Sequence, residues 1–100
     1  MPLKHYGITK QTLKLAEEQG ELIQVLSKKV FDNKFDPDNE LLIEEFADVE
    51  ILLAQMKAFY KVDQSAIEAI KTYKINRTQE RIEKEKLDKE LTIEMARCLF

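Results

Sequence analysis

One hundred residues make one ordinary domain, and 44% hydrophobic with 35% charged residues is too apolar for a disordered chain and too charged for a membrane protein. Sixteen Lys plus Arg against 19 Asp plus Glu leave a net charge of −3, the wrong sign for a general binder of nucleic acid polymers. Two Gly and two Pro supply too little turn chemistry for an all-β fold, and the single cysteine, Cys98, excludes an internal disulfide.

The chain reads as all-α throughout. A first helix is expected from about Thr9 to Phe31, ended by the turn formers Asp32-Asn33-Lys34-Phe35-Asp36-Pro37. A second is expected from Pro37 or Asp38 to about Tyr60, with Asp36 as its cap. Asp63-Gln64-Ser65 marks the next start, where Ser65 and Glu68 have the spacing of a capping box. The third helix is expected from about Ala66 to at least Lys86, and a fourth short apolar segment from Leu91 to Phe100. The start of the chain lacks the apolar run of a signal peptide, and no stretch approaches the ~18 apolar residues of a membrane span. A cytoplasmic protein without a membrane partner is the expectation. No boundary or repeat divides residues 1–100, which read as one domain.

Projected at about 100° per residue, Ile8, Leu15, Leu22 and Leu26 share a stripe on the first helix, widened by Ile23 and Ala16. On the second, Leu41, Leu42, Val49, Leu52, Met56 and Phe59 share another. Ile43, Ala47, Ile51, Ala54 and Ala58 cover much of its remaining surface. A helix apolar almost all round is buried on more than one side. A chain this short cannot easily do that alone, so at least a homodimer is expected, with an antiparallel helical bundle completed by a second subunit.

The carboxylates do not respect these stripes. Glu45 and Asp48 fall inside the second one, whereas Glu44 and Glu50 fall outside. Glu18 lies at the edge of the first stripe, Glu21 one step further out and Glu17 further still. A solvated face or a salt bridge explains an isolated Glu17, Glu44 or Glu50. Two carboxylates inside an apolar stripe are different, because burying unpaired negative charge is strongly unfavourable. Glu18/Glu21 and Glu45/Asp48 each have the three-residue spacing that places a pair on one helix face. Two antiparallel helices would converge them on one site suited to a hard divalent cation.

The full acidic pattern is Glu17-Glu18-Gln19-Gly20-Glu21, followed after a broken loop by Glu45-Phe46-Ala47-Asp48. This E-E-x-x-E … E-x-x-D arrangement resembles the MazG-like family of all-α nucleoside triphosphate pyrophosphohydrolases. The resemblance extends over about residues 8 to 82. It implies hydrolysis of a nucleoside triphosphate to the monophosphate and pyrophosphate, with Mg²⁺, or Mn²⁺ in its place. Carried over by position, it implies Glu18, Glu21, Glu45 and Asp48 as metal ligands and Glu17 as the residue that orients or deprotonates the attacking water. It also implies a homodimer or homotetramer. The polyphosphate needs cations, and Lys74, Arg77 and Arg81 share one face of the third helix at i, i+3, i+7. By the same analogy His5, Tyr6 and Gln11 lie where a nucleobase pocket would be.

Other signatures are missing. The loop from Asp32 has Pro37 and Ile43 where a calcium-binding EF-hand needs Gly and Glu. There is no Walker-type phosphate loop. Phosphoribosyl-ATP pyrophosphohydrolase, in the same superfamily, is an alternative, but the His expected soon after Asp48 is absent from Val49-Glu-Ile-Leu-Leu-Ala-Gln-Met. A non-catalytic helical interaction module is the alternative from another class.

Overall fold

A computed structural model describes residues 2–36 and 39–99. They form four helices: α1 (Pro2–Tyr6), α2 (Ile8–Asp32), α3 (Glu40–Phe59) and α4 (Gln64–Leu99). There is no strand among the described residues, so the all-α expectation holds. They belong to two compact units, Met1–Val62 and Asp63–Phe100.

The first unit is built on an antiparallel α2–α3 hairpin. Gln11, near the start of α2, meets Gln55, near the end of α3. Gly7 separates α1 from α2 at φ 84, a left-handed backbone angle that glycine adopts without steric cost. Asn33 ends α2 in the left-handed conformation. The Asn33 amide bonds the Val30 carbonyl and the Lys34 amide bonds the Lys29 carbonyl, which together make a Schellman closure. The α3 cap is Asn39, not Asp36: Asn39 Oδ1 accepts from the Leu42 amide at 3.0 Å. Pro37 and Asp38, where the sequence suggested a start, lie outside the described residues. A second Schellman closure ends α3, with Lys61 left-handed at φ 54 and the Val62 amide bonding the Lys57 carbonyl.

The hairpin core follows a seam slightly different from the expected stripe. Buried or half-buried positions on α2 are Ile8, Gln11, Leu15, Glu18, Glu21, Leu22, Val25 and Lys29; apart from Glu21 they alternate by three and four residues. On α3, Leu42, Glu45, Val49, Leu52 and Met56 continue the same rhythm, with buried Gln55 and half-buried Lys57 beside Met56. This is the 3.5-residue repeat of two helices wound around each other. A straight wheel drifts from it by ~20° per heptad. That drift puts Leu26 and Ile23 in the stripe on paper, yet both are exposed in the fold, and it pushes Glu18 to the edge although it is 6% exposed. Leu41 and Phe59 are likewise exposed rather than buried. Asp48 flanks the seam and is exposed, contrary to its expected place in the core.

The second unit is α4, one unbroken helix. The separate segment expected from Leu91 to Phe100 is, through Leu99, its continuation. No Gly or Pro interrupts residues 64–99, and Glu, Lys, Arg, Leu and Ile fill most of them. Its start is capped by Asp63 rather than by the Ser65/Glu68 box. Asp63 Oδ1 accepts from both the Ser65 amide at 2.9 Å and the Ser65 hydroxyl at 2.8 Å. Glu68 instead accepts from the Gln64 side chain. Among its described side chains Ile67 is half-buried and the rest are exposed.

Candidate metal centre

The seam positions Glu18 and Glu45 opposite each other, near the middle of the hairpin. One carboxylate oxygen each from Glu18, Glu45 and Asp48 lies within 4.8 Å of the others. The same holds for Glu17, Glu18 and Glu21. Glu18 belongs to both groups, so the hairpin brings together all five carboxylates singled out in the sequence. Glu18 and Glu45 are buried, and Glu18 Oε2 and Glu45 Oε2 have no hydrogen-bond donor. A buried acceptor left without a donor is costly, so these two atoms call for a proton, a water or a cation.

Part of that demand is met by Lys14, which sequence reading passed over. Its Nζ lies 2.9 Å from Glu18 Oε1 and 3.8 Å from Glu17 Oε1. Lys14 precedes Glu18 by four residues, the spacing of facing positions on a helix, so the pair was findable from that rule alone. The hydrogen bond from Lys14 holds the Glu18 carboxyl below its ordinary value and raises Lys14. Glu21 is pushed up, first by the charge on Glu18. Glu45 is pushed up by burial, then by Glu21 and Glu18. One ammonium thus serves Glu18 Oε1 and, more distantly, Glu17 Oε1, while Glu18 Oε2 and Glu45 Oε2 have no donor among the described residues. Hard oxygen donors converging from two helices are a set that could hold a divalent cation.

Beside the cluster runs an open groove of about 710 Å³. Glu17, Glu18, Asp48 and Lys14 line its acidic end. Tyr6, Lys10, Gln11, Ile51, Leu52 and Gln55 line much of the rest. Gln11 Nε2 donates to Gln55 Oε1 at 2.8 Å, a buried amide pair that fixes both side chains. Lys10 Nζ sits 4.6 Å from the centre of the Tyr6 ring. Tyr6 and Gln11 therefore do line a cavity, while His5 packs edge-on against Tyr6 and is exposed. Gln55 was missed. Its signal was a polar residue inside the apolar run from Ile51 to Met56.

The expected phosphate cations belong to the other unit. Lys74, Arg77 and Arg81 are exposed on α4, and the Arg77 guanidinium lies 5.8 Å from the Tyr73 ring centre.

No family model, curated protein or solved structure matches this chain.

Proposed function

We propose that the protein is a Mg²⁺-dependent nucleoside triphosphate pyrophosphohydrolase, with Mn²⁺ as an alternative ion. The observation that carries this reading is the pair of buried, donorless oxygens, Glu18 Oε2 and Glu45 Oε2, within a cluster that opens onto a groove. Glu18, Glu21, Glu45 and Asp48 would hold the ion. When bound, it would neutralise charge on the phosphate oxygens and make water a better nucleophile. Glu17, exposed at the groove wall, would orient a water and take its proton. Lys14 stands at the same wall and offers an ammonium to the polyphosphate. The groove volume is in the range of small-molecule sites, ~300–1,000 Å³. The Tyr6 ring and the Gln11–Gln55 pair give it a stacking surface and amide groups for a base.

The exposed Ile43, Phe46, Ile51 and Leu53 on α3 support completion of a helical bundle by a homodimer or homotetramer. No described helix is long and apolar enough to cross a membrane, which accords with a cytoplasmic enzyme.

The test is pyrophosphate release from a panel of ribo- and deoxyribonucleoside triphosphates, with Mg²⁺ and with EDTA. Release that requires Mg²⁺ is the expected result, and silence across the panel in folded protein would remove the reading. The Lys14–Glu18 bond favours a second reading, a helical interaction module whose acidic cluster is merely salt-bridged. Mg²⁺ separates the two. Saturating ion at 100 times its Kd should stabilise an ion-binding fold by about 2.7 kcal/mol, and a module without an ion site by nothing.

A further inference from the structure

We propose that Lys14 is the resident counter-ion of the acidic cluster, and that a divalent cation entering the cluster drives its ammonium off Glu18 and onto a phosphate in the groove. The inference rests on the ion-binding reading of the cluster and adds an order to it, with the cation first and the phosphate second.

Lys14 faces two demands that one ammonium cannot meet together. Its Nζ lies 2.9 Å from Glu18 Oε1 and 3.8 Å from Glu17 Oε1, so it is committed to the carboxylates. It also lines the groove, where an anionic ligand needs it. Among the described residues the other cation of the groove wall is Lys10, whose ammonium stands 4.6 Å from the Tyr6 ring centre. Lys14 is therefore the cation nearest the acids, and it is already engaged by them.

Glu18 is the carboxylate that an entering cation has to take. It belongs to both groups of converging acids, and its Oε2 has no donor. Glu45 Oε2, in the second group, has none either. The Glu18 side chain is only 8% exposed, so it cannot turn away to water, whereas the Lys14 side chain is 48% exposed. An ordinary surface pair looks different: in Lys71–Glu68 both members are more than half exposed. Ammonium and divalent cation repel each other strongly when they share one carboxylate. The cation carries twice the charge and draws on carboxylates of both helices, so the ammonium is the one that leaves. It sits on a flexible four-carbon stem, and leaving takes bond rotation without backbone movement. Acids and groove share this wall, so the freed ammonium stays beside any phosphate that the cation holds. By reciprocity the phosphate then favours the cation as much as the cation favours the phosphate.

Calorimetry on the full chain tests both halves of the transfer. Mg²⁺ alone is the first titrant, and inorganic tripolyphosphate in saturating Mg²⁺ is the second. Lys14→Met removes the competitor and should tighten Mg²⁺ at least threefold, yet weaken tripolyphosphate at least tenfold. Lys14→Gln is a second neutral variant and should behave alike. Lys14→Arg keeps the charge and should bring both constants back towards the natural values. Lys28→Met makes the same charge change about 15 Å further along α2 and should leave both within twofold. Circular dichroism checks that each variant keeps its helices. Opposite shifts confined to position 14 support the transfer, and Mg²⁺ binding by the neutral variants alone would support it most. Unchanged or weaker Mg²⁺ in both neutral variants, unchanged tripolyphosphate, or the same shifts from Lys28→Met would overturn it. If neither the natural chain nor any variant binds Mg²⁺, the ion-binding reading itself falls and takes the transfer with it. If the natural chain and the neutral variants bind Mg²⁺ equally, that reading stands and the transfer alone is lost.

Discussion

The α2–α3 hairpin and α4 solve opposite problems. At the hairpin seam, Gln11, Glu18, Glu45 and Gln55 are buried alongside Val49 and Leu52. On α4 the large apolar side chains Ile70, Tyr73, Leu87 and Leu91 are all exposed. The hairpin buries groups that need an unusual partner, and α4 leaves apolar groups in the open. Seam spacing therefore says where helices will touch, while seam chemistry says what they still require.

Substitutions that separate these two roles should differ most in activity. Glu45→Gln or Asp48→Asn should lower Mg²⁺-dependent pyrophosphate release by at least about a hundredfold, since even groups that only support a ligand cost 10–100-fold. Circular dichroism should show the helices intact. Retained turnover would break the assignment of the cluster.

The same truncation made in each region should sharpen the contrast in stability. Leu52→Ala removes a side chain 5% exposed and should cost about 2–5 kcal/mol by denaturant melting. Leu91→Ala, which removes an exposed side chain of α4, should in dilute solution change stability by less than about 0.5 kcal/mol. A large loss from Leu91→Ala in dilute solution would mean that α4 is already covered within one chain.

A subtler effect is expected from pH. Glu45 and Glu21 titrate above the ordinary glutamate range in the folded hairpin, so the folded state holds more protons there than the unfolded one. The stabilisation from those protons is present at low pH and is lost as pH rises through their folded values. Glu18, held low by Lys14, acts in the opposite sense and loses its contribution as pH falls through its own lowered value. In EDTA, melting temperature should therefore peak on the acid side of neutrality. Mg²⁺ should move that peak towards neutral pH, because ion and proton compete for the same oxygens.

The smallest change is expected at the end of α3. Lys61 holds a left-handed backbone angle that costs a side chain of its kind about 1–2 kcal/mol. Lys61→Gly should relieve part of this, offset by glycine's greater freedom when unfolded, for a net gain of at most about 1 kcal/mol in thermal melting.

Helix type, turn positions and the five carboxylates were legible in the sequence because each has a local cause. Turn formers break the chain near Asn33 and Asp63, and E-x-x-E spacing places side chains on one face wherever the helix goes. Burial was harder to read, since it depends on how the partner helix winds. A straight wheel misjudged Leu26, Glu18 and Asp48 for that one reason. The cap at Asn39 was missed because Asp36, three residues earlier, offered the same chemistry; Asp63 was read as part of a helix start, but the capping box was assigned to Ser65 and Glu68, and only backbone geometry chooses between such candidates. Continuity of α4 past Lys86 followed from the lack of any breaker, which carries more weight than the local rise in apolar residues near Leu91.

The hairpin also has a kinetic side. Glu18 and Glu45 lie on helices adjacent in the chain, so the acidic cluster forms within a single helical hairpin. Such topologies fold quickly. Closing this one, however, drives Glu18 and Glu21 against Glu45 and Asp48, with Lys14 as the nearby counter-charge. Like-charge repulsion then rises steeply along the folding coordinate, and screening by salt should lower the barrier as well as the final energy. Folding of this unit in metal-free buffer should therefore quicken as ionic strength rises, and an ion that binds the cluster early would speed the assembly of its own site.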